Sequence, residues 1–306
     1  MKVLDGLEEA ADCRGGVLAI GNFDGVHRGH QKMLRVLVER AKELDVPAVV
    51  LTFDPPPVQL LRPEAVPPRL STVERKRELI ESLGVDCLIV YRTDLDLLNL
   101  GPAEFFEQIV LKKLGAKGLV EGPNFYFGKD RQGDVKLLAK LCESSGRSLD
   151  VIEPEYEGDL LISSSTIRRS IAEGELSRAV SMLGHPYRIE GVVIPGEARG
   201  RGLGFPTANL GQVATLLPGD GVYGARCFVE GAFYAAAVHV GTNPTFKQNE
   251  RKVEVHVLDF SGELYGQTIK VDLLERIRGT RVFPSADELK QQIENDLKAI
   301  RRLANP

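Results

Sequence analysis

The chain has 306 residues, a formal net charge of −4, 43% apolar residues and 27% charged residues. That is enough chain for two hydrophobic cores in a soluble protein, and it excludes disordered, fibrous and collagen-like classes. The mild acidity offers no general attraction to nucleic acid or anionic lipid. No apolar run is long enough for a membrane span, and the acidic opening Met1 to Asp12 has no apolar segment of a secretory signal.

The first half alternates strand-like and helix-like patterns. Val17 to Gly21 is a short apolar run, and Met33, Leu34, Leu37 and Val38 then fall on one helical face. Ala48 to Phe53 is a second run and leads into the turn Pro55-Pro56-Pro57. Leu70 to Leu83 reads as a helix starting at Ser71 or Thr72, with Glu74 in its first turn. Cys87 to Tyr91 reads as a strand, Ala103 to Leu114 as a helix ending at Gly115, Gly118 to Glu121 as a strand, Asp134 to Glu143 as a helix, and Leu149 to Ile152 as a strand. Strands apolar on both faces and separated by helices predict an α/β domain with a parallel sheet, Rossmann-like, binding ligands beyond the carboxyl ends of its strands.

The pattern changes after Gly184. Tyr187 to Ile194, Gly221 to Val229, Phe233 to Val240, Val253 to Phe260 and Thr268 to Leu274 read as strands joined by turns, which predicts a small antiparallel β-barrel. A charged helix from about Ser285 to Leu303 closes the chain. The boundary is placed near Gly184-His185-Pro186, giving domains 1–184 and 185–306. The four cysteines, Cys13, Cys87, Cys142 and Cys227, are widely spaced with no CxxC, so they are expected to be reduced thiols in a cytoplasmic protein.

The densest chemical signal is Gly21-Asn22-Phe23-Asp24-Gly25-Val26-His27-Arg28-Gly29-His30, between the first apolar run and the first helix. His27 and His30 share a face of the opening turn, where backbone N–H groups attract phosphate, and Gly29 allows close approach. No third ligand is near enough in sequence for zinc. This stretch resembles the nucleotidyltransferases with an HxGH signature, and in the form GNFDGVHRGH the bacterial bifunctional riboflavin kinase/FMN adenylyltransferases. That family carries ISSTxIR late in the same domain, and Ile162-Ser163-Ser164-Ser165-Thr166-Ile167-Arg168 stands in that place, with Ser165 where Thr is usual. The resemblance implies His27 and His30 at the α-phosphate of ATP. It implies Ser163, Ser164, Ser165 and Arg168 at the outer phosphates, and Gly21, Asn22, Phe23, Asp24 and Gly29 around the nucleotide. Glu121 to Arg131 resembles the family's flavin-binding loop, which implies Asn124, Phe125 and Phe127 at the flavin; the near-match to a phosphate loop in Gly122 to Lys129 has the wrong glycine spacing. Where the family often reads FxPHP this chain reads Phe53-Asp54-Pro55-Pro56-Pro57, so Pro56 occupies a histidine slot and one phosphate contact is missing.

In the second domain, Gly196 to Leu210 is a glycine-rich stretch, expected as a flap, ending in Pro206-Thr207-Ala208-Asn209. This resembles the PTAN motif of riboflavin kinases. Thr207 and Asn209 are hard oxygen ligands suited to Mg²⁺ carried by ATP, and Gly202 and Pro206 are expected at the nucleotide. In Val253-Glu254-Val255-His256-Val257 the glutamate and histidine share one strand face. A carboxylate aimed into the barrel would suggest chemistry, one on the outer face mere solvation. The resemblance makes Glu254 the base for the riboflavin 5′-hydroxyl and leaves His256 a neighbour. Gly221 to Gly224, Gly241 to Phe246 and Arg276 to Phe283 also match family segments, the first two expected as turns at the barrel mouth. The implied reactions are riboflavin to FMN in the second domain and FMN to FAD in the first, with ATP as co-substrate and no nucleic acid, membrane or obligate protein partner. A chain with only a working kinase, and a flavin-binding sensor, are the rival readings.

Overall fold

The computed structural model describes residues 1–8, 10–196, 204–243 and 248–304. Gly200 and Gly202 of the glycine-rich stretch, and Pro244 to Phe246, lie outside the described residues. Residues 1–67 with 72–163 form one compact unit, and residues 68–71 with 164–306 form the other.

In the first unit, strands β1 (Lys2–Asp5), β2 (Val17–Ile20), β3 (Ala48–Phe53), β4 (Cys87–Tyr91) and β5 (Gly118–Glu121) precede a small hairpin of β6 (Tyr126–Phe127) and β7 (Gly133–Asp134). Next come β8 (Ser148–Val151) and a second hairpin of β9 (Tyr156–Glu157) and β10 (Leu160–Leu161). The main sheet has the order β1-β4-β3-β2-β5-β8 with every pair parallel. The chain winds outward through β3 and β4 on one side of β2, then through β5 and β8 on the other, so the switch point lies between β2 and β5. Strand alternation sorts the core. Val17 and Ala19 join Met33, Leu34 and Leu37 of helix α1 (Arg28–Glu43) and Ile80, whereas Leu18 and Ile20 join Phe105, Phe106, Ile109 and Leu138 on the opposite face. Thr72 caps the helix Val73–Ser82 through the Arg75 N–H, and Asp134 caps Val135–Ser144 through the Leu137 N–H.

Three expectations change. Strand β1 pairs with β4 at the sheet edge although Lys2 to Asp5 has no apolar run, because an edge strand that turns only Leu4 toward the core needs none. The helix expected from Ala103 to Leu114 is an α-turn, Pro102–Phe105, followed by a π-helical stretch, Phe106–Lys113. Cys13 and Cys87 are not free thiols: they form a disulfide with a Cα–Cα distance of 6.3 Å. The short helix Ala10–Cys13 packs into the same core as β4, a proximity that a separation of 74 residues conceals. Cys142 and Cys227 are free and buried, and burial pushes their thiols up to about 11 and about 12.

In the second unit, β11 (Tyr187–Ile194), β12 (Ala208–Gly211), β13 (Gly221–Val229), β14 (Ala232–Asn243), β15 (Gln248–Val257) and β16 (Thr268–Arg278) close into an antiparallel barrel of order β11-β12-β15-β14-β13-β16. The part of the expected flap that holds Ala208 and Asn209 is therefore a barrel strand, the one that links β11 to β15. Ile189, Ala225, Val238, Val255, Val271 and Leu273 fill the interior with no exposure. The helix Ala286–Ala304 packs on β13, β14 and β16 and is tied by Asp296, which accepts from Arg278 Nε at 2.8 Å and Gln292 Nε2 at 2.7 Å.

Arg188 and Asp272 form a buried ion pair in the barrel. Arg188 on β11 donates to Asp272 on β16 through Nε at 2.6 Å and Nη2 at 3.0 Å, with side chains 9% and 8% exposed. Removing one partner leaves a charge without its counterion in low dielectric. Asp272→Ala is expected to destabilise the barrel by about 3–5 kcal/mol, and Arg188→Met with Asp272→Leu by far less. Denaturant unfolding of the two variants checks both.

Candidate active sites

The turn leaving β2 is strained. Phe23 and Val26 have φ of 46° and 39°, a region that a β-branched residue rarely enters, and both are buried. Val26 is held there by its N–H donating to Phe23 O and by Gln31 Nε2 donating to Val26 O at 2.9 Å; Thr52 Oγ1 on β3 donates to Asn22 O at 3.3 Å. This fixed turn carries Gly21, Asn22, Phe23 and Asp24 past the carboxyl end of β2 and delivers His27 as the N-cap of α1.

His27 Nδ1 accepts from the His30 backbone N–H at 3.4 Å, which puts the ring proton on Nε2, the donor a phosphate oxygen needs. The two imidazoles stack with centroids 3.7 Å apart, and a Cβ on Gly29 would stand 3.3 Å from the His27 ring. A larger residue at position 29 would therefore press on the His27 ring, which would have to shift by a few tenths of an ångström. Burial first, then the His27 and Lys76 charges, holds His30 well below the ordinary histidine range, so it is neutral at pH 7. Lys76, 7% exposed, reaches Thr52 Oγ1 at 3.2 Å beneath the same turn. It stands outside the family motifs, and only its position in an otherwise amphipathic helix could have singled it out.

The neighbouring exit, from β5, carries the residues expected at the flavin. Asn124 is exposed, Phe125 is half-buried, and Phe127 lies beneath at 6% exposure with its ring stacked on Phe125 at 5.6 Å. Phe125 is thus the more accessible of the stacked pair, and Tyr126 between them is 48% exposed. Between the two exits sits Glu121, 1% exposed, the first residue of the loop segment and one given no role by the resemblance. The β2–β5 ladder covers only Val17 with Gly118 and Leu18 with Leu119, and Glu121 Oε1 accepts the Ile20 N–H at 2.8 Å where the strands part.

Burial pushes the Glu121 carboxyl well above the ordinary glutamate range, with the Ile20 bond opposing. The folded state therefore keeps a proton that the unfolded chain releases. Stability is greatest below the unfolded value and falls as pH rises toward the folded one. Glu121→Gln is expected to flatten this dependence, which has a slope of at most about 1.4 kcal/mol per pH unit. Unfolding midpoints of wild type and variant across that range test it.

Ser163 ends the first unit, and Ser164 opens the helix Ser164–Ala172 of the second. Arg168 on that helix is half-buried and donates from Nε to Pro68 O at 2.8 Å.

In the barrel, Asn209, Glu254 and His239 are directly opposite one another across β12, β15 and β14. The valines of Val253 to Val257 point into the core, so Glu254 and His256 occupy the outer face. On an outer face plain solvation is the expectation, but Glu254 is only 24% exposed, with His239 Nδ1 at 3.8 Å from Oε2. His256 Nδ1 donates to Pro206 O at 2.7 Å, and its ring meets Phe205 edge-on, so it fastens the PTAN segment. A Cβ on Gly196 would stand 1.9 Å from Asn209 Nδ2, which explains glycine at that point. Thr207 and Asn209 are half-buried. A hydroxyl and an amide oxygen, rather than a cage of acidic or histidine ligands, fit a hard divalent cation that arrives with its phosphates.

A parallel sheet with a phosphate-suited helix cap at its switch point, and a barrel with hard ligands beside a shielded carboxylate, define a two-domain ATP-using transferase. An FAD synthetase family model matches residues 9–166, and a riboflavin kinase model matches residues 183–304. The bifunctional riboflavin kinase/FMN adenylyltransferase of Escherichia coli strain K12 is 37% identical over 299 residues, covering 97% of this chain and 96% of that protein. Its namesake from Bacillus subtilis strain 168 is 37% identical over 295 residues, covering 94% and 93%. A crystal structure described as a macrolide-efflux protein from Streptococcus pneumoniae matches with a TM-score of 0.87 and 30% identity, over 98% of this chain and 99% of that one. That description belongs to that protein; among the described residues here no helix is long and apolar enough to cross a membrane. The chain belongs to the bifunctional riboflavin kinase/FMN adenylyltransferase family, with an FAD synthetase domain followed by a riboflavin kinase domain.

Proposed function

We propose that domain 185–306 transfers the γ-phosphoryl group of ATP to riboflavin, and that domain 1–184 then joins FMN to the adenylyl group of a second ATP. The observation that carries the first step is the placement of Glu254 opposite Asn209, which sets the carboxylate of one motif beside the metal-suited amide of another. Glu254 accepts the proton of the neutral ribityl 5′-hydroxyl as its oxygen bonds to the γ-phosphorus and ADP leaves. Thr207 and Asn209 hold Mg²⁺ with ATP, while Gly202 and Pro206 lie along the nucleotide. The metal, when bound, shares the phosphate charge.

In the second step the nucleophile is the FMN phosphate, which is already anionic, so no base is required. An FMN oxygen bonds to the α-phosphorus and pyrophosphate leaves. His27 and His30 donate to the α-phosphate region. Ser163, Ser164, Ser165 and Arg168 take the outer phosphates; the FAD synthetase match, residues 9–166, includes the three serines and stops short of Arg168. Gly21, Asn22, Phe23, Asp24 and Gly29 surround the nucleotide, and Asn124, Phe125 and Phe127 form the flavin side. Substrates are ATP, riboflavin and FMN, and the compartment is the cytoplasm. There the Cys13–Cys87 bridge, with its residues 2% and 1% exposed, is kept from bulk thiols.

Asn209→Ala is expected to raise the Mg²⁺ concentration needed for half-maximal FMN formation about tenfold or more while leaving FAD formation from FMN unchanged. A Mg²⁺ titration of both reactions tests this, and an unaltered FMN titration would remove Asn209 from the metal site.

A further inference from the structure

Glu254 faces a second polar residue besides Asn209, one that belongs to no motif. His239 stands directly opposite it on β14, so Asn209, Glu254 and His239 form one row across three strands on the same face. His239 Nδ1 lies 3.8 Å from Glu254 Oε2, just beyond hydrogen-bonding range. That nitrogen is buried and has no hydrogen-bond partner. A buried ring nitrogen left in this way costs stability unless something repays it. The side chain as a whole is 21% exposed, and its other charged neighbours are Asp220 and Arg278.

We infer that His239 is a positioning residue for the kinase base: its Nδ1–H closes on Glu254 Oε2 and fixes the carboxylate in one orientation toward the ribityl hydroxyl. Closing less than about 1 Å brings the pair into normal hydrogen-bonding range. Burial favours the neutral imidazole, with the Glu254 charge opposing. A neutral donor orients a carboxylate without cancelling its charge, whereas a lysine or arginine in this position would weaken the base it holds. A carboxylate with one oxygen fixed also loses less freedom when the substrate arrives. This inference rests on Glu254 being the base.

The test is steady-state kinetics on the full chain with His239→Ala, His239→Asn, Glu254→Gln and His239→Ala/Glu254→Gln, with FAD formation from added FMN as the control for folding. His239→Ala is expected to lower kcat for FMN formation about 10- to 100-fold with KM for ATP and riboflavin within about twofold. His239→Asn, whose amide N–H₂ stands near the Nδ1 position, is expected to recover most of that loss. In the Glu254→Gln background His239→Ala is expected to cost nothing further. A His239→Ala kcat within twofold of wild type overturns the inference, as does a loss that Asn fails to restore or that appears in KM alone. If Glu254→Gln keeps the wild-type kinase rate, the reading of the base is wrong instead, and that result is distinguishable because it does not involve His239.

Discussion

Glu254→Gln is expected to lower riboflavin phosphorylation by about 10²- to 10⁴-fold, the span over which a positioned general base acts, while FAD formation from supplied FMN is retained. The substitution keeps the volume and one acceptor oxygen and removes only the ability to take a proton. The ribityl hydroxyl is neutral at physiological pH, so its proton must leave as the bond to phosphorus forms. In the proposed reaction Glu254 receives that proton; it stands on a partly shielded strand face with Asn209 opposite on one side and His239 opposite on the other. Its carbon skeleton packs on the exterior of the barrel, away from the valine core, so Gln should fold as Glu does. The loss is expected in kcat, because the carboxylate acts on the reacting proton and not on the remainder of the substrate. Separate kcat and KM measurements for FMN formation check this.

His27→Ala is expected to have the opposite selectivity: a fall of about 10²- to 10³-fold in FAD formation, with riboflavin phosphorylation unchanged. Two contributions are lost together. The Nε2–H donor disappears, and so does the N-cap acceptor for the His30 N–H, which also frees the stacked His30 ring to move. Loss of a cap by itself costs about 1 kcal/mol of stability, too little to unfold a sheet of this size. His27→Asn separates the two effects, since it keeps a capping oxygen and lacks the imidazole donor. It is expected to be as stable as wild type and nearly as slow as His27→Ala. Thermal unfolding beside a kinetic assay of FAD formation distinguishes the contributions.

Much of this was legible in the sequence because the signals are local. The β2–α1 turn announces itself by an apolar run, three glycines and two histidines in helical register, and the buried central strands show as apolar runs. The barrel strands show as alternation, though their ends drift by several residues where edge positions lose it. What stayed hidden depends on contacts across the chain. Strand β1 is exposed except at Leu4 and pairs on one side only. Strand β12 is four residues long and hides in a stretch dominated by glycine and proline. The Cys13–Cys87 bond joins residues that only the sheet brings together. His239, Lys76 and Glu121 lie in strands or a helix whose patterns read as core or surface, and their chemistry arises from what stands opposite: Glu254, Thr52 and the Ile20 N–H respectively. Alternation placed Glu254 and the valines on opposite faces correctly. It could not say that the outer face would be shielded, which depends on β12 and β14 flanking β15.

The most direct test of the two-site account is a chromatographic time course of flavins with riboflavin, ATP and Mg²⁺, run on wild type, Glu254→Gln, His27→Ala and an equimolar mixture of the two variants. The account predicts FMN and then FAD from wild type, neither product from Glu254→Gln, FMN alone from His27→Ala, and FAD again from the mixture. FAD from either variant alone, or both variants halting at the same step, would contradict it.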